Sequence, residues 1–172
     1  MGKTERNSHT SGLASLSFLN FMVHLPAMRN AQRITKIHLP VNEQDIPIVI
    51  GIVSADPDYR LSLKLNKKLS ISLKNTDPVE FQDDEGNKFL SSRFTDSSGA
   101  PDLHFQLVSN RSEKNFMLKK LKNIDYLLLL HNHAKDFSPE KIMSQLREID
   151  SITGVFKIEI KTLNDKNLKY LI

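Results

Sequence analysis

IDYLLLLHNHAKDF, residues 124–137, decides how the rest of the chain is read. From Ile124 to Leu130 every residue is apolar or aromatic except Asp125. A run this short and this uniformly apolar predicts a central strand buried on both faces. His131, His133 and Asp136 follow at once. They pose a second question: a metal site at a strand end, or the polar exit of a buried strand.

If the strand continued through His133, the two imidazoles would share one face with their Cα atoms ~7 Å apart. Asp136 could then supply a third ligand. A catalytic metal centre takes about three protein ligands and groups that orient them. His9, His24, His38 and His104 add no recognisable ligand spacing, and HExxH is absent. His131, His133 and Asp136 stand as a candidate metal set, with strand exit as the preferred reading. Only on the metal reading would the chain be a metal-dependent enzyme.

Outward from this stretch the pattern alternates between strands and helices. SPEKIMSQLREI (138–149) opens with a Ser N-cap and a proline at the first helical position, and Ile142, Leu146 and Ile149 form its buried stripe. GVFKIEIKTL (154–163) is expected to close the sheet. Upstream, IPIVIGIVS (46–54) reads as a strand buried on both faces. LHFQLVS (103–109) alternates as a strand. VEFQDDEGNKFLSSRFTD (79–96) reads as a hairpin turning at Gly86-Asn87, with Asp83, Asp84 and Glu85 solvated at its tip. SSGAPD (97–102) and NRSEKN (110–115) read as loops, and RITKIHL (33–39) as a first strand.

Residues 56–75 admit two readings. Asp56 as N-cap, Pro57 and Asp58 favour a helix from Pro57 to about Lys68, followed by a short strand from Leu69 to Leu73. The alternative is a hairpin turning at Asn66-Lys67-Lys68. The expected class is α+β, a mostly antiparallel sheet with two helices packed on one face.

The chain has 172 residues, no cysteine and no tryptophan, and a formal net charge of +4. The absent cysteine excludes disulfides, thiolate metal sites and cysteine nucleophiles. Phosphate-cradling GxGxxG and GxxxxGK[ST] motifs and the GxSxG elbow are absent too. No catalytic residue and no cofactor is expected.

No apolar run approaches the ~20 residues of a membrane span. GLASLSFLNFMVHLPA (12–27) copies a signal peptide faintly, but Asn20 and His24 interrupt it and no small-x-small site follows. Residues 1–28 are expected to be a flexible tail or an upstream extension, and 29–172 a single α+β domain.

The remaining chemistry is basic. Arg60, Lys64, Lys67 and Lys68 form one cluster, and Lys119, Lys120 and Lys122, with Lys114 nearby, form another. Brought to one side, they would hold phosphates with salt-dependent affinity. No aromatic-interleaved RNA-binding signature accompanies them, so any RNA binding is expected to be weak.

Two segments, IGIVSADPDYRLSLKLN (50–66) and LKKLKNIDYLLLL (118–130), resemble the IPExxxVDY family, small proteins typical of Bacteroidetes. Ile124, Asp125 and Tyr126 match the VDY end of the signature, and Leu118 its first position. Lys119 and Lys120 stand where the family has Pro and Glu. The resemblance implies a cytoplasmic bacterial protein and transfers no catalytic residue. Asp125 is expected to cap a loop or pair with a lysine, and Tyr126 to bury its ring while its hydroxyl reaches an edge. The functional expectation is a non-enzymatic accessory domain whose partner is another protein. An RNA-associated accessory protein is the alternative.

Overall fold

The structure, a computed structural model, describes residues 46–96, 98, 103–131, 133 and 137–171. All belong to one unit of the chain, Leu39–Ile172. The expected tail 1–28 and strand 33–39 lie outside the described residues, as do Asn132 and Asp136.

Strands β1 (Ile48–Ser54), β2 (Leu73–Gln82), β3 (Lys88–Asp96) and β4 (His104–Ser109) precede a minimal hairpin, β5 (Arg111–Ser112) and β6 (Asn115–Phe116). Strands β7 (Tyr126–His131) and β8 (Ile152–Ile158) follow. Helix α1 (Asp58–Leu69) joins β1 to β2, and α2 (Glu140–Arg147) joins β7 to β8. The main sheet runs β2-β3-β4-β7-β1-β8, with every neighbouring pair antiparallel. Strand β1 therefore sits between β7 and β8, whose connection through α2 is a split β-α-β unit.

The class read from the sequence is the class observed. Both helices pack on one face: Leu61 and Leu65 of α1 and Ile142, Met143 and Leu146 of α2 share a core with Ile50, Ile52, Tyr126, Leu128 and Leu130. The opposite face carries Val49, Phe81, Val108, Leu127 and Leu129. Met117, Leu118 and Ile124 cover it, together with Leu171 from the C-terminal end. Gly51 lies on this covered face. A Cβ there would meet the side chains of Ile124 and Ile158 at 3.1 Å, so the glycine lets the cover close on β1.

Two buried asparagines hold the cover: Asn167 Nδ2 donates to the Met117 carbonyl (2.8 Å), and Asn110 makes the larger clamp. Asn110 is fully buried; its amide donates to the carbonyls of Leu121 (2.9 Å) and Ile124 (3.0 Å), and its Oδ1 accepts from Leu118 N–H (2.8 Å). Three backbone groups at and around the short 3-10 turn Lys119–Leu121 are thereby satisfied away from water, as burial requires. The stretch 110–115, expected to be only a polar loop, opens with this clamp and forms the β5–β6 hairpin.

Other boundaries moved for local reasons. Residues 58–69 are a helix, but no strand spans Leu69–Leu73. Ser70 ends the helix in the left-handed region (φ 56°), and β2 begins at Leu73. Asp56 does not cap α1. Its carboxylate turns to Lys64 (2.6 Å), and the carbonyl of Pro57 accepts the first helical N–H groups. Likewise Ser138 donates to the Glu140 carboxylate rather than capping α2 through its side chain. Strand β8 stops at Ile158, because Ile160–Thr162 turns back as 3-10 helix and puts Ile160 against the covered face. The β2–β3 register slips between Thr76 and Val79, which moves the inward face of β2 from Leu73 on the helix side to Val79 and Phe81 on the other.

Two substitutions of opposite sign test this packing. Asn110→Ala strands buried polar groups and is expected to lower the unfolding free energy by ~2–4 kcal/mol. Ser91 Oγ is buried with no hydrogen-bond partner among the described residues. Ser91→Ala is therefore expected to raise stability by ~1 kcal/mol. Urea denaturation of the two variants measures both.

Candidate functional site

The two segments that carry the family resemblance meet in space. Asp125 N–H donates to the Ile52 carbonyl (3.0 Å), and Asp125 Oδ2 accepts from Ser54 N–H (3.1 Å). Tyr126 Oη donates to the Asp56 carbonyl at 2.7 Å. Both expectations for the pair are met: Asp125 caps the end of β1, and Tyr126 buries its ring with its hydroxyl at the edge.

These contacts floor an open cleft of about 620 Å³ between the β1–α1 junction and the β5–β6 hairpin. Ser54, Asp56, Asp125 and Tyr126 lie on one side, Arg111 and Glu113 on the other. A concave site with a few convergent polar groups is the first place to seek function.

Each buried polar group of the cleft has a partner. The Asp56 side chain is 11% exposed. It holds Lys64, whose ammonium also reaches Ser151 Oγ at 2.9 Å, and Arg60 stands 3.8 Å away. The hydrogen bond from Lys64, then that from Ser151, holds the Asp56 carboxyl below its usual pKa against the opposing effect of burial. Burial pushes the Tyr126 phenol up to about 12, helped by the carboxylates of Asp58, Asp125 and Asp56. The phenol thus stays protonated at neutral pH and serves as a donor.

The rim is different. Arg111 is 54% exposed, lies over the Phe116 ring at 5.2 Å, and stands 3.7 Å from Asp125, beyond hydrogen-bond distance. Glu113 is exposed and held at φ 54°, a conformation that costs a non-glycine residue about 1 kcal/mol or more. Sequence reasoning missed Arg111, Glu113 and Ser54, because no local pattern links a hairpin tip to a strand end fifty-odd residues earlier.

The predicted basic clusters do not come together. Arg60, Lys64, Lys67 and Lys68 lie on α1, over the helix side of the sheet, whereas Lys119, Lys120 and Lys122 flank Leu118 and Leu121 on the opposite face. Several are already paired: Lys64 with Asp56, Lys68 with Glu148 at 2.5 Å, Lys119 with Asp84. Asp84 also takes Lys166 at 2.8 Å, and these two ammonium groups hold its pKa at about 2. The hairpin-tip acid thus ties the β2–β3 turn to the cover of the second face instead of only meeting solvent.

At the far end of the sheet, His104 and His131 are opposite one another in register, with ring centroids 6.4 Å apart. His133 Nε2 lies 3.2 Å from the Ile46 carbonyl. No group of three His, Asp or Glu side chains among the described residues is placed to hold a metal ion. Asp136 lies outside them. Burial, then the neighbouring His104 and His133, lowers the pKa of His131.

Comparison with protein-family models, curated proteins and solved structures returns no match. None of the described helices is long and apolar enough to cross a membrane.

The His131 shift has a definite sign. The folded chain binds this proton less readily than the unfolded chain, so stability is undiminished above the unfolded pKa of about 6.5 and falls as the pH drops below it. The urea midpoint is expected to decline between about pH 7.5 and about pH 5.5, and His131→Asn to flatten that decline. An unchanged slope in the variant would place the pH dependence elsewhere.

Proposed function

We propose that the chain is a small non-enzymatic interaction domain of the bacterial cytoplasm, and that it takes a protein partner at the Asp125–Tyr126 cleft. One observation carries the reading: the part-buried acids Asp56 and Asp125 and the Tyr126 phenol of the cleft are spent on the β1–α1 junction, while Arg111 and Glu113 stand exposed at its rim. A general base or nucleophile must be open to substrate. These groups are instead committed to neighbours, which supports a preformed binding surface.

The rim offers both signs of charge, which suits a polypeptide segment with complementary acidic and basic side chains. The resemblance to the IPExxxVDY family supports the cytoplasmic assignment. The RNA alternative draws little from the geometry, because its two lysine clusters face opposite ways and three of their ammonium groups are paired.

Affinity purification from native extract tests the proposal, using the parent chain and an Arg111→Glu/Glu113→Lys double variant, each with and without nuclease. A protein partner that survives nuclease and is lost with the double variant is expected. A partner removed by nuclease, or held equally by both chains, would overturn the reading.

A further inference from the structure

The two edges of the main sheet are built differently. Strand β2 carries Lys74, Asp77 and Pro78 and a register break between Thr76 and Val79. Charge, proline and irregularity are the usual devices that keep an edge from pairing with another chain. Strand β8, at the other edge, reads ITGVFKI; it has one lysine, Lys157, and a register break at Thr153, but its ladder to β1 from Gly154 to Ile158 is regular and it has no proline.

The backbone directions of β8 follow from its neighbours. Ile52 C=O accepts from Asp125 N–H, so Ile52 points towards β7. Alternation then points Val49, Gly51 and Val53 towards β8, in agreement with the 3.4 Å bond from Thr153 Oγ1 to the Val53 carbonyl. Their ladder partners Ile158, Phe156 and Gly154 spend their backbone groups on β1. Val155 and Lys157 therefore aim N–H and C=O outward, and no described residue pairs with them there.

Phe156 is 52% exposed on this edge, with its ring over Gly154. We propose that β8 pairs antiparallel with β8 of a second copy, about a two-fold axis at Phe156. In that register Val155 exchanges backbone hydrogen bonds with Lys157 of the second copy, and Lys157 with Val155. Phe156 meets its own counterpart at a non-hydrogen-bonded position, where facing side chains approach most closely. The two half-exposed rings cover one another. Lys157 opposes a valine, whereas a register centred on Lys157 would set two lysines face to face. The contact is isologous and closes on itself, so it stops at a dimer. It is independent of the cleft reading.

Sedimentation equilibrium of the full chain over a concentration series tests it, with two variants and one crosslink. A monomer–dimer equilibrium is expected, weakened about tenfold or more by Phe156→Ser and by Lys157→Pro. The proline removes an outward N–H without touching the ladder to β1, and circular dichroism checks that the fold persists. The native chain contains no cysteine, so Phe156→Cys is expected to give a disulfide-linked dimer on mild oxidation, much faster than Leu63→Cys on exposed α1. A parent that stays monomeric throughout, a dimer indifferent to both variants, or equal crosslinking of the two cysteine variants would overturn the proposal.

Discussion

Four consecutive leucines, Leu127 to Leu130, have no solvent exposure. The rest of the architecture answers that constraint. Side chains of a strand alternate between faces, so a strand without a wet side obliges the chain to build cover twice. Helices α1 and α2 cover one face. The second cover is assembled from residues 117–124 and the C-terminal end, with only the short 3-10 turns Lys119–Leu121 and Lys166–Tyr170 to satisfy part of its backbone. Asn110 supplies what a ladder would have supplied, and the Asp84 carboxylate adds a tie at the margin through Lys119 and Lys166. Removing cover from either side would expose leucines that nothing else can bury.

The elements legible in the sequence were those with a strong local period or punctuation. The leucine run, the Ile46–Ser54 run, the Gly86-Asn87 turn and the proline-led helices all declared themselves. What stayed hidden depends on partners distant in the chain. Nothing in NRSEKN says that its first residue is a buried clamp, because its bonding partners are carbonyls eleven and fourteen residues further on. Both helices start one residue after the proline that the sequence places at their first position, because Pro57 and Pro139 are N-caps. Asp56 preferred a lysine eight residues along to the helix N–H groups, a choice that only the folded backbone offers. Asp125 and Tyr126 read as structural residues in the sequence, and in the fold they bond Ser54 N–H and the Asp56 carbonyl. That they build one wall of a cleft, with Arg111 and Glu113 opposite, could not be seen from spacing.

The cleft and the β8 edge illustrate two ways of presenting a surface. In the proposed cleft site rigidity comes first: Tyr126 is held by the Asp56 carbonyl, Asp125 by Ser54 N–H and Asp56 by Lys64, so little ordering cost would remain at binding. At β8 the presented groups are backbone and thus indifferent to sequence, and specificity rests on Phe156 and the charges beside it. The histidine pair at the opposite end of the sheet belongs to neither. His104 and His131 mark where the buried strand returns to water, and the burial of His131, beside His104 and His133, is felt in stability as the pH falls.

The place of β1 between β7 and β8 has a kinetic consequence. Ile50 finds its two ladder partners at Leu128 and Lys157. The ribosome thus delivers one of the most apolar strands early, and its neighbours on both sides only after most of the chain has been made. Until then its hydrogen-bonding edges are open. Contacts this distant in sequence slow folding and lengthen the time for which apolar segments are exposed. The last described strand, β8, completes the sheet that the first described strand, β1, begins.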